Sequence, residues 1–387
     1  MKIAIFTETF FPHTNGVLTA ILNLSKGLAD KGHQVYIITP KFKGGQELIY
    51  PNITVRYIKG INAFIYEDVK LVSPISLRTL NFLKKEKIDV IHFMSPWTTG
   101  NKAIFIARIL KVPLVGTFHT FIGDPENLKH VHLNYPFVKK HVWEYINSYY
   151  NKCDLVSCPS DFSKQELIRN KCKAPITVIS NGIEIPNTDI KNVNKIKKKY
   201  KGSPLLLFVG RISYEKNLEH LIDCFKLILN KKPKCKLILI GDGPLDEMIR
   251  NKIKSERLGK SILQLGKMSH DKLIKEGYYK AADLFVSVSK TENCPLTVLE
   301  AQINGLIPVV YDAGGMSYLI KNNRNGVLVP VDNSKEFANQ VIKLLDNKKK
   351  QETLKKNLKE DVKVHYIPNI IEQWEKEYSK LIKNNKK

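Results

Sequence analysis

Short apolar runs alternate along the chain with longer segments in which apolar residues recur every three or four positions. The short runs have the length of buried parallel strands, and the longer segments have the period of helices that cover a sheet. In the first half this pattern predicts a helix at 16–31 and strands at 2–6, 34–39, 90–93, 114–118, 155–158 and 176–179. Strands that alternate with helices indicate βαβ units and parallel sheets.

A polar, basic interruption bounded by prolines occupies residues 186–203, and the alternation then starts again. Beyond it the pattern predicts a helix at 218–230 and strands at 205–209, 236–240, 284–288 and 308–311. We therefore predict an α/β protein with two doubly wound domains, 1–185 and 204–360, joined by a linker that includes a short helix. A helical segment at 361–387 is expected to cross back to the first domain. Ligands of open parallel sheets bind beyond the carboxyl ends of the strands, so we expect a site where the two domains face each other.

Composition narrows the class of protein. The chain has 387 residues, which favours two domains, and a net charge of +25. No apolar stretch is long enough for a membrane-spanning helix, and the N-terminus does not resemble a signal peptide. The six cysteines lack metal-binding spacing and are expected to be reduced and buried in a cytoplasmic protein. The positive charge fits an anionic membrane surface, nucleic acid or simple lysine-rich composition, and no nucleic-acid module is visible.

Two glutamates eight positions apart, Glu292 and Glu300, are the strongest candidates for chemistry. They follow a predicted buried strand, and Pro295 between them suits the first turn of a helix. Amides of Leu296 and Thr297 would then point back toward the loop and hold a phosphate, while each carboxylate accepts hydrogen bonds from hydroxyls. A nucleotide-sugar has this layout of sugar, diphosphate and ribose. The alternative is two solvated glutamates that flank a helix start.

Other strand-end loops carry suitable groups. Gly16 at a helix entrance would let a ligand approach the backbone, and Arg211 and Lys216 in one loop suit a diphosphate. His119 at the end of a strand could donate a hydrogen bond to a sugar. The alternatives are that Gly16 belongs to an ordinary turn, that Arg211 and Lys216 are surface cations, and that His119 is a structural histidine.

Six segments in a fixed order resemble the retaining glycosyltransferases of family four, over nearly the full length. They are Ile-Phe-Thr-Glu-Thr-Phe-Phe-Pro-His-Thr-Asn-Gly-Val, Gly-Thr-Phe-His-Thr, Val-Ile-Ser-Asn-Gly-Ile, Phe-Val-Gly-Arg-Ile-Ser-Tyr-Glu-Lys-Asn, Ile-Gly-Asp-Gly-Pro and the Glu-x7-Glu segment. The resemblance implies the GT-B architecture, in which two Rossmann-like domains face a central cleft. The opening segment and the length look most like bacterial diacylglycerol glucosyltransferases and related glycolipid synthases.

The resemblance also implies roles for matching positions. A catalytic group would comprise His119, Glu292, Arg211 and Lys216. The donor-binding residues would be Gly16, Arg211, Lys216, Met268, Glu292, Asn293, Cys294, Pro295, Leu296, Thr297 and Glu300. Within this group, Glu292 would contact the transferred sugar, Glu300 the ribose and the loop with Met268 the base. The sequence departs from the family at Met94, where a second histidine is common, and at Asn293-Cys294-Pro295.

The activity implied by the resemblance is transfer of a hexose, glucose from UDP-glucose, to a membrane lipid such as 1,2-diacylglycerol. It would proceed with retention at the anomeric carbon and without a cofactor or metal, because Arg211, Lys216 and helix amides would stabilise the departing diphosphate. Enzymes of this kind are cytoplasmic and adhere to the inner face of the cell membrane. The alternatives are a soluble or polysaccharide acceptor, and a non-catalytic basic binding protein.

Two segments of the first domain, 64–87 and 128–152, combine basic and apolar residues and suit interfacial helices. We predict acceptor or membrane contacts from His13, Phe64, Leu80, Lys84, Lys85 and Trp143. The alternative for either segment is an ordinary amphipathic helix that packs on its sheet. The expected partners are therefore a UDP-sugar, an anionic membrane and a lipid acceptor, and no nucleic acid.

Overall fold

A computed structural model describes residues 1–12, 15–45, 47–62, 70–119 and 135–385. The chain divides into two compact units. Unit 1 contains Met1–Gly182 and His365–Lys387, and unit 2 contains Ile183–Val364. The predicted linker, residues 186–203, is part of unit 2.

Unit 1 is built on a parallel sheet of seven strands within the described ranges, in the order β3-β2-β1-β6-β7-β8-β9. These strands are β1 (Lys2–Phe6), β2 (Gln34–Pro40), β3 (Ile53–Ile58), β6 (Val90–Phe93), β7 (Leu114–Thr117), β8 (Leu155–Cys158) and β9 (Ile176–Val178). β4 (Ile61–Asn62) and β5 (Lys70–Leu71) form a separate antiparallel pair. The helices are α1 (Gly16–Asp30), α2 (Leu77–Glu86), α3 (Thr98–Leu110), α4 (Pro136–Tyr150) and α5 (Asp161–Arg169).

Unit 2 has a parallel sheet of six strands, again counted within the described ranges, in the order β12-β11-β10-β13-β14-β15. The strands are β10 (Leu205–Val209), β11 (Lys236–Ile240), β12 (Ile262–Gln264), β13 (Leu284–Ser287), β14 (Ile307–Tyr311) and β15 (Val327–Val329). The helices are α6 (Ile190–Lys199), α7 (Leu218–Lys231), α8 (Asp246–Ser255), α9 (His270–Glu276), α10 (Tyr278–Ala281), α11 (Leu296–Ile303), α12 (Met316–Leu319), α13 (Ser334–Asp346) and α14 (Lys348–Asp361).

The last helix, α15 (Ile367–Asn385), returns to unit 1. It packs so closely on α1 that a β-carbon built on Gly27 would lie 2.5 Å from the Ile371 side chain. Trp374 and Tyr378 are buried in the core that also holds Ile3 and Ile5. A glycine at this crossing therefore allows the two helices to approach closely.

The apolar runs form strands whose side chains are buried on both faces of a sheet. In β1, Ile3 and Ile5 belong to one core cluster and Ala4 and Phe6 to another. Because alternate residues of a strand point to opposite faces, both faces of the sheet are covered. The prediction of two doubly wound α/β domains is confirmed.

All six cysteines carry free thiols, and five of them are buried. The described helices include none with the length and apolar character needed to cross a membrane.

Candidate active site

The loop between β13 and α11 carries Glu292 and ends at Pro295. Pro295 has extended backbone angles and occupies the N-cap position of α11, with no side-chain cap hydrogen bond. The first amides of a helix, here those of Leu296 and Thr297, have no partner within the helix, and the helix dipole makes this end attractive to anions. The first turn contains no acidic side chain. This end of α11 is therefore suited to a phosphate.

Lys216 and Glu292 form an ion pair beside this helix end. Lys216 Nζ lies 2.5 Å from Glu292 Oε1, and the two side chains are only 19% and 11% exposed. Their loops are also joined by a side-chain-to-backbone hydrogen bond, in which Ser289 Oγ donates to the carbonyl of Glu215 at 2.9 Å. The structure thus brings together two predicted catalytic residues that lie 76 positions apart.

A diglycine after β14 positions Glu292 from the other side. The amide of Gly315 donates to the Glu292 carbonyl at 2.6 Å. Gly314 has a φ of +55°, and a β-carbon built on it would lie 2.3 Å from the same carbonyl oxygen. Only glycine meets both requirements without displacing the loop.

Backbone hydrogen bonds join the loops that follow β10, β11 and β12. The amide of Gly210 donates to the Ile240 carbonyl, and the amide of Gly241 donates to the Gly266 carbonyl, both at 3.0 Å. A β-carbon built on Gly241, whose φ is +146°, would lie 1.8 Å from the carbonyl oxygen of Gly210. The three loops therefore form one continuous edge at the carboxyl ends of the strands.

This edge carries two further predicted positions. Arg211 is exposed in the loop after β10, and Met268 is half-buried in the loop after β12. Lys267, next to Met268, lies 3.5 Å from Asp242 in the loop between β11 and α8. Arg211 and Met268 thus lie on loops that adjoin the predicted diphosphate and base positions, and their roles stay predictions.

Glu300 is 4% exposed inside α11, and its two oxygens have different neighbours. The Tyr279 hydroxyl donates to Oε2 at 2.5 Å, and His270 Nε2 lies 3.1 Å from Oε1. Contact with Glu300 raises the pKa of His270, and burial raises the pKa of Tyr279 well above its usual value. The sequence analysis missed both residues, because no motif marks the short helices α9 and α10 that carry them.

Asn293, Cys294 and Thr297 complete the predicted donor-binding segment around Pro295. Cys294, Pro295 and Leu296 are buried, whereas Asn293 and Thr297 are half-buried. Each lies in or beside the start of α11, as the sequence predicted.

In unit 1, His119 lies two residues after the end of β7. Burial lowers its pKa to about 4, so its imidazole is neutral near pH 7. A chain of buried polar groups lies next to it: Thr117 Oγ1 contacts His92 Nε2 at 2.6 Å, and His92 Nδ1 contacts the Tyr378 hydroxyl at 2.7 Å. Met94 and Trp374 line a cavity together with His119, so the position where the family often has a second histidine presents an apolar side chain here.

Gly16 is the exposed first residue of α1. The Asn15 side chain caps this helix by accepting a hydrogen bond from the Leu18 amide at 2.9 Å. His13, predicted to contact the acceptor, lies outside the described residues. The entrance of α1 therefore has a glycine in the predicted place, and its role toward a donor stays a prediction.

The predicted acceptor and membrane residues separate into exposed and buried groups. Lys84 and Lys85 are exposed on α2, and Phe64 lies outside the described residues. Trp143 is 4% exposed and packs against Phe118, so the prediction of a membrane contact for Trp143 is wrong.

Leu80 is half-buried and packs against the same core of unit 1. At Leu80, α2 therefore behaves as an ordinary amphipathic helix that packs on its sheet, which was the alternative to a membrane contact. In the described parts of these segments, the large hydrophobic side chains that face solvent are Leu71, Ile75, Leu77, Tyr135, Phe137 and Tyr145.

Comparison with known proteins identifies two family matches and several relatives. Residues 14–185 match the family described as Glycosyltransferase Family 4, and residues 189–361 match Glycosyl transferases group 1. The chain is 29% identical over 337 residues to an alpha-monoglucosyldiacylglycerol synthase of Streptococcus pneumoniae, covering 85% of this chain and 75% of the relative. A protein of the same name from Acholeplasma laidlawii is 28% identical over 407 residues, covering 100% and 99%.

An Escherichia coli relative, UDP-Gal:alpha-D-GlcNAc-diphosphoundecaprenol alpha-1,3-galactosyltransferase, is 30% identical over 299 residues, covering 74% of this chain and 73% of the relative. Among solved structures, Anabaena HepE in complex with UDP superposes with a TM-score of 0.78 at 18% identity, covering 98% and 100% of the two chains. Sucrose-phosphate synthase from Thermosynechococcus elongatus gives a TM-score of 0.79 at 19% identity, covering 99% of each. Fold, family matches and relatives agree, and the chain belongs to the GT-B glycosyltransferases of group 1 and family 4.

Proposed function

We propose that this glycosyltransferase moves glucose from UDP-glucose to the free hydroxyl of 1,2-diacylglycerol and forms a glycolipid. The observation that carries the proposal is the Lys216–Glu292 pair at the N-terminus of α11, with Glu300 one helix turn or more farther along. The two relatives named alpha-monoglucosyldiacylglycerol synthases support the lipid acceptor. The superposition with a protein crystallised with UDP supports the nucleotide.

The proposed reaction retains the configuration of the anomeric carbon. The bond between that carbon and the β-phosphate oxygen breaks, and the acceptor oxygen attacks from the same face. The acceptor proton passes to the departing phosphate oxygen, so the protein does not need a second carboxylate as base. Negative charge grows on the diphosphate as the bond breaks, and positioned cations lower the barrier by stabilising that charge.

Lys216, Arg211 and the first amides of α11 are the groups we assign to the diphosphate. Lys216 is held within reach of the helix end by Glu292, whereas Arg211 is exposed and able to turn toward a ligand. These cations would supply the positive charge that a metal ion supplies in other transferases, so we propose that no metal is required.

Glu292 and His119 are the groups we assign to the transferred sugar. Glu292 keeps one oxygen, Oε2, for sugar hydroxyls while Oε1 contacts Lys216. His119 is neutral at pH 7 because burial lowers its pKa to about 4. We therefore propose that His119 acts as a hydrogen-bonding group and not as a cation.

A membrane-facing surface of unit 1 is the third part of the proposal. Leu77 is 70% exposed at the start of α2, and the exposed Lys84 and Lys85 lie in the last turn of that helix. Phe137 is 63% exposed in the first turn of α4, ahead of the exposed Lys140. Exposed apolar side chains beside lysines suit the interface of an anionic bilayer. We propose that the enzyme works at the inner face of the cell membrane by peripheral contact.

The decisive experiment supplies labelled nucleotide sugars with vesicles that contain diacylglycerol and an anionic lipid. Label from UDP-glucose in an extracted glycolipid supports the proposal, and NMR of the product shows whether the linkage is α and configuration retained. Label only in a soluble sugar or polysaccharide would move the acceptor to glycan synthesis. No turnover with any donor would favour a binding protein. Full activity in the presence of a chelator is expected if no metal takes part.

A further inference from the structure

The carboxylate of Glu300 is oriented by two side chains from separate short helices. Tyr279, on α10, donates its hydroxyl hydrogen to Oε2 at 2.5 Å. His270, the first residue of α9, places Nε2 3.1 Å from Oε1. One hydrogen bond and one ion-pair contact, on different oxygens, therefore restrict rotation of the Glu300 carboxylate about its last bond.

The number of hydrogen-bond acceptor positions left on the Glu300 carboxylate indicates how many ligand hydroxyls it can bind. Each carboxylate oxygen has two lone-pair positions, so a carboxylate can accept about four hydrogen bonds. Tyr279 takes one position on Oε2, whereas His270 Nε2 lies 3.1 Å from Oε1 as an ion-pair partner without hydrogen-bond geometry. At least one position on each oxygen is then available, which is enough for a pair of adjacent hydroxyls.

We propose that His270 and Tyr279 are positioning residues that orient Glu300 to accept both hydroxyls of the ribose of the donor nucleotide. This inference rests on the proposed function, because it concerns the nucleotide part of the same donor. It assigns ribose selectivity to three side chains instead of to Glu300 alone.

The position of His270 along the chain supports this assignment. Met268, the residue predicted to lie against the base, is only two residues before His270, and the Ser269 side chain between them caps α9. One short segment therefore carries a residue for the base and a residue that orients the ribose carboxylate. A change in this segment would alter both contacts together.

The surroundings of His270 show that its contact with Glu300 is electrostatic as well as geometric. Its ring faces Glu300 through Nε2 and Asp271 through Nδ1, the latter at 3.8 Å, and Glu184 adds a weaker attraction. All three carboxylates favour the imidazolium, and the contact with Glu300 is the main cause of the raised pKa of His270. Tyr279 also contacts Glu300, and it stays protonated because its pKa is raised.

The test is calorimetric binding of UDP and of 2′-deoxy-UDP to the full chain. We expect the wild type to bind UDP at least about tenfold more tightly than 2′-deoxy-UDP. Removal of the 2′-hydroxyl leaves a buried carboxylate oxygen of Glu300 without its hydrogen-bond donor. H270Q and Y279F are expected to weaken UDP binding several-fold and to leave 2′-deoxy-UDP binding nearly unchanged. The preference for ribose should therefore shrink in both variants.

Two neighbours provide matched controls. Y278F removes the hydroxyl of the adjacent tyrosine, which is half-buried, and D271N changes a fully exposed carboxylate next to His270. Both controls should keep the wild-type preference for UDP. Because H270Q alters a side chain that is 38% exposed, it is expected to fold even if Y279F does not.

The outcomes separate this inference from the proposed function. If UDP binds and both variants keep the wild-type ratio between the two nucleotides, or lose both ligands equally, the positioning role is wrong and the donor assignment stands. If the folded wild type binds neither UDP nor another nucleoside diphosphate, both the inference and the proposed function are wrong.

Discussion

The backbone of Gly314 lies against the backbone of Glu292, so that a β-carbon on Gly314 would come within 2.3 Å of the Glu292 carbonyl oxygen. The next residue, Gly315, donates its amide hydrogen to that same oxygen. The loop after β14 therefore determines where the Glu292 side chain begins, although it contributes no side chain to the chemistry. Substitutions at Gly314 should consequently act on catalysis through the backbone.

G314A is expected to reduce kcat by about 100-fold or more, because the added methyl group must displace the Glu292 carbonyl and with it the catalytic carboxylate. It should also destabilise unit 2, since alanine is strained at a φ of +55°. Steady-state kinetics and urea unfolding measure the two effects separately.

G305A is the matched control for that variant. Gly305 also has a positive φ, +75°, but a β-carbon there meets no atom within 4 Å. We expect about 1 kcal/mol of destabilisation from backbone strain and near-normal kcat. If G314A and G305A have equal kcat values, the substitution at Gly314 acts through backbone strain alone and does not displace Glu292.

K216A is expected to lower kcat by about 100-fold or more, because it removes a positioned cation from the leaving diphosphate. It also leaves Glu292, only 11% exposed, without its ion-pair partner. Turnover of UDP-glucose, with circular dichroism as a check of folding, measures the effect. K290A is the control, since Lys290 lies in the Glu292 loop but pairs with Asp332 at 2.8 Å; a similar loss in K290A would contradict a specific role for Lys216.

The buried His92 and His365 and the half-buried His119 should make unit 1 sensitive to acid. Burial lowers the pKa of His92 to about 3 and the pKa values of His119 and His365 to about 4. Below pH 6.5 the unfolded chain therefore binds protons that the folded unit excludes, and each group lowers the free energy of unfolding by about 1.4 kcal/mol per pH unit until its folded pKa is reached. Stability should thus be full above pH 6.5 and fall as the pH decreases toward 4.

Urea unfolding of wild type and H365N at a series of pH values tests this dependence. Asparagine has no proton to gain, so the difference in stability between H365N and the wild type should change in favour of the variant as the pH falls. Glu8, whose pKa burial raises, acts in the opposite direction in both proteins and cancels in the comparison. A difference that stays constant with pH would contradict a neutral, buried His365.

His270 in unit 2 should show the opposite pH dependence. Its folded pKa is raised above 6.5 by Glu300, so the stabilising contact is fully present below pH 6.5 and is lost as the pH rises through the folded pKa. Wild type should therefore exceed H270Q in thermal stability by more at about pH 5.5 than at about pH 8.5. D271N removes a carboxylate that interacts more weakly with the His270 ring. The difference in thermal stability between wild type and D271N should therefore change less between these two pH values.

The sequence predicted the central strands well because those strands are buried on both faces and read as continuous apolar runs. β1, β6, β8, β10 and β11 have the predicted bounds. The short pair β4 and β5 was missed, and the missed strands of the two parallel sheets, β3, β12 and β15, all lie at sheet edges. An edge strand has one unpaired side and fewer buried residues, as the Ile-Thr-Val-Arg-Tyr-Ile segment of β3 shows, so its hydrophobic signal is weak.

The candidate site was predictable where a residue belongs to a motif on a strand-end loop. Lys216 and Glu292 belong to such motifs, and the structure brings them into contact. Tyr279 and His270 were missed because only tertiary packing aims them at Glu300. Trp143 was misassigned because an amphipathic pattern does not tell which neighbours cover the apolar side of a helix.

The return of α15 to unit 1 makes unit 2 an insertion within a discontinuous domain. Residues 1–182 lack Trp374 and Tyr378, which pack against His92 and complete the core beside it. During synthesis the whole of unit 2 leaves the ribosome before these residues do, so its core can close while the earlier domain is still incomplete. The domain whose synthesis begins first is therefore the last to finish folding, and the segment that completes it contacts the polar chain next to His119.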